Sequence, residues 1–292
     1  MKSLNLVTLG LFGAANIIFA SQVQACTGAK QMGAGGTGVT TAENADAAYW
    51  NPGLACLLDQ PEICYTRLVQ GISDFRYANV LSFAMPVGER FGLTAQYVNS
   101  DTVSSMNKHE MWDWYSLGGG AKISDWPADL YLGGIISYNN LKSGGLRSDG
   151  STKILDRNNH FRFDASLLAA KKEILIKNDE LRFGILLQYA DELDITIVRP
   201  EISYSLKDSL GVTTVAVAGY GLGNNSAALR VGGERSFNTS VGKFSVRAGY
   251  DGTLNNENQC LTVGLGYDSG KFGVDVANSD GKMTVISGFY RF

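Results

Sequence analysis

The sequence predicts an all-β protein: a 14-stranded antiparallel transmembrane β-barrel. Three observations predict it. Long segments alternate apolar and polar residues with a period of two. The connections between these segments divide into a short set and a long set. The chain ends on an amphipathic strand closed by Phe292.

The first residues set the compartment. Lys2 is followed by an apolar stretch over 4–20, interrupted only by Asn5, Thr8 and Asn16, and then by Ser21-Gln22-Val23-Gln24-Ala25. Val23 and Ala25 suit cleavage before Cys26, so 1–25 reads as a signal peptide. As a membrane anchor the run is short and lacks a charged stop. A lipid on Cys26 is the alternative, although Gln24 fits a lipobox poorly. The expected destination is the bacterial cell outer membrane, with membrane lipid as surroundings.

Composition narrows the class. The chain of 292 residues has 35 glycines, 5 prolines and 18% charged residues, and no later apolar run is long enough for a membrane helix. A net charge of −3 without a basic stripe argues against nucleic acid as a partner. Four cysteines, Cys26, Cys56, Cys64 and Cys260, would meet an oxidising compartment. Cys56 and Cys64 are close enough in sequence to form a disulfide, but connectivity is open. Without Cys-x-x-Cys, and with His109 and His160 far apart, no metal site is expected.

Residues 26–60 are small, Gly/Ala-rich and not alternating, which separates them from the barrel at 61–292. They contain Gly33-Ala34-Gly35-Gly36-Thr37-Gly38, a match to the dinucleotide fingerprint. No buried strand precedes it, so no cofactor is implied, and the glycines are expected to permit tight turns and close packing.

From Ile63 the alternation begins. Phe91, Leu93, Ala95 and Tyr97 share one face against Gly92, Thr94 and Gln96. Phe244, Val246, Ala248 and Tyr250 oppose Ser245, Arg247 and Gly249, and Leu261, Val263, Leu265 and Tyr267 repeat the pattern. Fourteen strands are expected at 63–71, 75–87, 89–100, 111–123, 128–142, 160–176, 180–193, 197–208, 213–223, 226–237, 243–253, 259–269, 271–279 and 282–292. Many reach the roughly 9–11 residues that a tilted membrane strand needs. With the N-terminus in the periplasm, short turns fall inside. The two longest connections, 100–110 and 140–159, fall outside. Mixed charge at Lys142, Arg147, Asp149, Lys153, Asp156 and Arg157 marks 140–159 as a solvated loop.

Trp112, Trp114 and Tyr115 near one rim, and Trp126 in an opposite turn, are expected as interfacial aromatics; the same cluster could instead contact an outside ligand. Gly118-Gly119-Gly120 marks either a bulge or kink in the wall or room for a plug side chain. Tyr290 and Phe292 on one face resemble the signal read by barrel-assembly machinery.

The run from Gly33 to Val39, then Ala42 to Asp46 and Tyr49-Trp50-Asn51-Pro52-Gly53-Leu54-Ala55, resembles the start of the FadL/TodX-like long-chain fatty-acid transporter superfamily of outer-membrane proteins, including PorV-like relatives. The close match covers about 25 residues and departs from the family's Asn-Pro-Ala-Gly-Leu pattern by reading Asn-Pro-Gly-Leu-Ala. The resemblance implies a fourteen-stranded barrel with 26–60 folded inside as a hatch, and Tyr49, Trp50, Asn51, Pro52 and Gly53 in the lumen. It also implies a strand kink, here at Gly118–Gly120, through which an apolar ligand leaves sideways. Tyr49–Leu54 as a mere turn before the first strand is the alternative.

The resulting expectation is passive uptake of a hydrophobic, fatty-acid-like small molecule through a hatch-gated lumen. The alternative is a structural or secretion-associated barrel that binds a partner protein. Catalysis has little support: there is no Gly-x-Ser-x-Gly elbow, and Ser104, Ser105 and His109 share only a loop.

Overall fold

The computed structural model describes residues 28–70, 75–103, 108–125, 127–146, 152–190, 195–222, 227–253, 260–280 and 283–292. The expected signal peptide over 1–25, Cys26, Ser104, Ser105, Trp126 and most of the outer connections lie outside the described residues.

Fourteen antiparallel strands form one closed barrel in sequential order, with β1 paired to β14. They are β1 Glu62–Gln70, β2 Phe75–Val87, β3 Phe91–Val103, β4 Lys108–Ser124, β5 Asp129–Leu146, β6 Thr152–Lys172 and β7 Asp179–Ala190. The second half comprises β8 Ile195–Lys207, β9 Gly211–Leu222, β10 Ala227–Thr239, β11 Gly242–Thr253, β12 Cys260–Asp268, β13 Phe272–Ser279 and β14 Met283–Arg291. Closure runs from Glu62↔Arg291 to Gln70↔Thr284. The backbone N–H of Phe292 donates to Pro61 O at 3.1 Å, fastening the chain end beside the start of β1.

The alternation resolves inside out. Apolar members face outward: Leu261, Val263 and Leu265 are 66%, 57% and 64% exposed, while Thr262 and Gly264 between them are buried. A water-soluble sheet would bury the first set. An apolar exterior on a closed ladder is the arrangement a hydrocarbon surrounding demands. Aromatic contacts band both ends of this exterior. Tyr97–Tyr115 and Tyr138–Phe161 lie toward the loop end, and Phe244–Tyr267 and Tyr290–Phe292 toward the end of short turns. Trp114 corrects the expected cluster. One residue from outward-facing Tyr115, it has the opposite parity and meets Tyr49 inside the barrel at 6.4 Å.

Two other expectations are corrected. The supposed loops at 100–110 and 140–159 are mostly ladder: Val103 pairs with His109, and Leu146 with Thr152. Of the charged residues, Lys142, Lys153, Asp156 and Arg157 lie in the β5–β6 ladder, with Lys142 bridging to Asp113 at 3.1 Å, while Arg147 and Asp149 lie outside the described residues. Strand β6 ends at Lys172, four residues early, because 173–178 make a turn with Glu173 and Asn178 at φ 55° and 67°.

Within the ring, α1 Ala29–Gly33, α2 Ala47–Trp50 and a 3₁₀ helix Pro52–Leu57 fill the lumen. Ala29 and Met32 pack with Leu68, Ala277 and Val285 of the wall; Tyr49, Trp50 and Leu54 pack with Tyr131 and Leu168.

An arginine at an outward mid-strand position is expected to cost about 2–4 kcal/mol, and less near the rim. Leu265→Arg should therefore lower folding stability in liposome denaturation titrations by that amount, with Leu261→Arg losing less.

Candidate functional site

The interior segment is held by polar contacts concentrated at three places. The first is the Asn-Pro-Gly turn. Asn51 is fully buried, and its side chain is fully used: Nδ2 donates to Val39 O at 2.8 Å, while Oδ1 accepts from Gly53 N at 3.0 Å and Ser166 Oγ at 2.7 Å. Pro52 opens the 3₁₀ helix, where a missing N–H costs nothing. The wall opposite is glycine. A Cβ on Gly120 would stand 2.5 Å from Gly53 Cα, and one on Gly133 2.6 Å from Gly53 N. Only bare backbone lets the turn lie against β4 and β5.

The run Gly118–Gly120 is therefore not a break in the wall. Each of the three pairs in unbroken register with β3 and with β5; the irregularity in β4 falls later, between Lys122 and Ser124. Of the three, Gly120 gives room to the interior segment, whereas a Cβ on Gly118 or Gly119 would meet the neighbouring wall strands.

The second place is Glu201. Its buried carboxylate accepts four hydrogen bonds from the glycine-rich loop: Gly38 N at 2.8 Å, Val39 N at 3.0 Å, Thr40 N at 2.9 Å and Thr40 Oγ1 at 2.6 Å. Gly35 and Gly36 have φ near 71° and 75°, the left-handed values that curl this loop. Successive N–H groups converging on one anion form a nest. Of the fingerprint-like glycines, Gly38 does bind a negative group, but it is the wall's own carboxylate.

Beside it, Arg182 ion-pairs with Glu43 and Glu180 and donates to Thr40 O. Arg199 donates to Tyr49 OH at 3.3 Å and lies over the Tyr49 and Trp50 rings. Arg162 lies 4.0 Å from the Trp114 ring centroid and bridges to Asp164 at 2.7 Å. Tyr49, Trp50 and Trp114 thus form an aromatic face, with two guanidinium groups against it.

The third place is around Asp46. Asp46 accepts from Asn44 Nδ2 at 2.9 Å, and Glu62 accepts from Ala45 N at 2.8 Å while bridging to Arg291 at 2.8 Å. Burial, with Glu62 and Asp275 nearby, pushes the Asp46 carboxyl up to about 7 despite the opposing Asn44 and Ser82 contacts. On the neighbouring wall, Arg247 joins Glu234 at 2.5 Å and Asp275 at 2.6 Å.

The five expected site residues, Tyr49 to Gly53, are all buried in the lumen, and Tyr49 and Trp50 belong to one apolar cluster there. Sequence reading missed the wall residues that hold the interior segment: Arg199 and Ser166 at Tyr49 and Asn51, and Glu201, Arg182 and Glu62 at residues before them. The available signal was polarity: each stands on the inner face of an alternating strand. The expected Cys56–Cys64 disulfide is absent, and Cys56, Cys64 and Cys260 are free thiols. Cys56 Sγ donates to Arg90 O at 3.5 Å, whereas Cys64 Sγ lies 3.9 Å from Thr66 Oγ1 on the inner face of β1. The 3₁₀ helix and the strand carry the two sulfurs to different neighbours.

A cavity of about 670 Å³ lies between the interior segment and the turn end. Most of the residues around it are polar, among them Thr37, Ser203 and Thr214 and charges of both signs.

No protein-family model matches the chain, and no curated protein does. Solved structures do match in fold. The Ralstonia pickettii toluene transporter TbuX superposes with a TM-score of 0.57 at 12% identity, over 90% of this chain and 97% of that one. The CymD monoaromatic hydrocarbon channel gives 0.59 at 11%, over 92% and 98%. A Pseudomonas aeruginosa FadL homologue gives 0.53 at 12%, over 89% and 96%. The chain thus has the fold of these outer-membrane barrels. With its lipid-facing exterior, this places it in a bacterial outer membrane.

Two outcomes follow from the contacts. Glu201→Ala leaves four donors without their acceptor, each charge-assisted bond being worth about 1.5–3 kcal/mol. Protease nicking within 28–58, read by mass spectrometry on the refolded barrel, should rise at least tenfold. Asp46 gives a pH dependence. A carboxyl raised when docked holds a proton that the released segment gives up. Docking should therefore weaken as pH climbs from about 4 through about 7 and level off above. Hydrogen exchange over 28–58 checks this, and Asp46→Asn should reduce the dependence.

Proposed function

We propose that this barrel takes up a hydrophobic small molecule passively, with residues 28–58 as the hatch that gates the lumen. The observation that carries the reading is the combination of this fold with a docked interior segment. Named neighbours of that fold are a toluene transporter and a monoaromatic hydrocarbon channel. The aromatic face of Tyr49, Trp50 and Trp114 suits an apolar ligand, and Arg162 and Arg199 beside it suit a fatty-acid carboxylate. Burial is worth about 25 cal/mol per Å².

The way out is sideways in this reading. The cavity toward the turn end is ringed by charged side chains such as Glu43, Glu180, Arg182 and Glu234, whose hydration an apolar solute would disturb on that route. The wall has a weak seam instead. Between β8 and β9 the ladder pairs Val198 with Gly221 and Glu201 with Ala218, and Pro200 stands between these pairs. Pro200 has no N–H to give, and its ring packs toward Gly219, 3.2 Å from where a Cβ would stand. The seam lies between the two residues, Arg199 and Glu201, that grip the hatch. Movement of the hatch and opening of the wall are thereby linked.

Proteoliposomes loaded with the barrel should take up labelled toluene and labelled fatty acid faster than empty liposomes; equal rates would reject uptake. Pro200→Ala restores a ladder donor, so it should raise stability by about 1–3 kcal/mol and slow uptake severalfold.

A second reading, a barrel that holds a partner protein, draws on the polar residues around the cavity and on its turn-end position. Pull-down from envelope extracts separates the two: a stable protein partner supports this one, a co-purified lipid the first.

A further inference from the structure

The turn end carries an unexplained feature. In the β6–β7 turn, Leu175 and Ile176 are 76% and 53% exposed, and Ile174 is exposed as well. The next two turns on this end present Leu210 and Val241, also strongly exposed. The described residues of the β2–β3 turn, Gly88-Glu89-Arg90, and of the β12–β13 turn, Ser269-Gly270-Lys271, present no aliphatic side chain. The apolar tips therefore occupy one side of the rim. A lipid annulus surrounds a barrel evenly and gives no reason for this asymmetry.

The β6–β7 tip is also rigidly built. The Asp179 carboxylate accepts from the backbone N–H groups of Ile174, Leu175 and Ile176 at 2.8, 2.9 and 3.0 Å, and from Tyr204 OH at 3.0 Å. Lys207 N donates to Asn178 O at 3.1 Å, joining this turn to the neighbouring hairpin. Two non-glycine residues, Glu173 and Asn178, adopt left-handed φ to close it. Such a turn shows its aliphatic side chains to water without collapsing over them, at a cost in hydration and strain.

Charge sits beside the tips. Lys172 and Lys207 line the mouth of the 670 Å³ cavity and Lys30 lines it as well. Among the described residues these three make no ion pair. The acids of the same cavity are mostly engaged: Glu43 and Glu180 with Arg182, Glu234 with Arg247, and Asp179 with its own turn. Lys171 and Lys177 flank the tip on the outside, both exposed. Three lysines without an ion pair among the described residues thus line an open cavity beside a preformed apolar knob.

We propose that this side of the turn end is a docking surface for a periplasmic protein. That partner presents an apolar patch to Ile174, Leu175, Ile176, Leu210 and Val241 and an acidic segment to Lys172, Lys207 and Lys30 in the cavity mouth. The proposal rests on the second reading of the preceding subsection, and names its surface. It does not require that the lumen carry a solute.

Site-specific photocrosslinking in cells making the full chain tests it. A benzophenone amino acid replaces Leu175, Val241 or, on the far side of the rim, Glu89. The expected result is a discrete protein adduct from 175 and 241, none from 89, and at least a tenfold loss of adduct in K172E/K207E while the barrel keeps its heat-modifiable mobility. An adduct indifferent to the charge reversal overturns the proposal, as does lipid alone crosslinked at 175, which would put the tips in the leaflet. A protein adduct from 89 only rejects this surface and leaves the partner reading standing. No protein adduct from any position rejects both.

Discussion

Everything in this molecule depends on closing the ladder. Hydrocarbon offers no partner for a backbone N–H or C=O, so a strand sheet in a membrane is stable only when its last strand finds its first. Here the β1–β14 pairing does this, reinforced by Arg291 between Glu62 and Asp268 and by the Phe292 N–H on Pro61. Once the ring is closed, inside and outside are fixed. Every second side chain must suit lipid, and every other one must suit the lumen.

That division explains why charge is concentrated inside. Arg247 between Glu234 and Asp275, and Arg230 on Asp251, lie on the inner wall, where cross-strand pairs neutralise one another. The interior segment uses the same chemistry. Its glycine-rich loop wraps the Glu201 carboxylate, and its Asn51 turn is satisfied internally and by Ser166. Docking through buried hydrogen bonds is specific, because a shifted segment would leave donors and acceptors unpaired. It also differs from a greasy core in being responsive: a displaced segment can be rehydrated.

Strand number and order were legible because alternation survives in a membrane, only with its faces exchanged. Phe91 to Tyr97 and Leu261 to Tyr267 announce strands whichever way they face. The Asn51-Pro52-Gly53 turn was legible because proline and asparagine constrain a chain locally. Pro200 was visible as a proline within an alternating segment, yet its effect needs the identity of the neighbouring strand. The glycines of β4 were visible too, but kink and close approach leave the same mark in sequence. Only Gly53 and Pro52 lying against Gly120 and Gly133 separate them. The cysteine pairing failed for a similar reason, since closeness along the chain does not set the direction in which sulfur points.

By itself, then, the sequence determined the period, the number of strands, the non-alternating segment before them and the turn at Asn51. These follow from local sterics and from side-chain parity, which act over a few residues. The tertiary structure decided which face meets lipid, that Glu201 receives Gly38 to Thr40 across 161 to 163 residues of chain, and where the wall lacks a hydrogen bond. Those are relations between distant residues. They come into being only when the ring closes and brings the inner faces of separate strands around one segment.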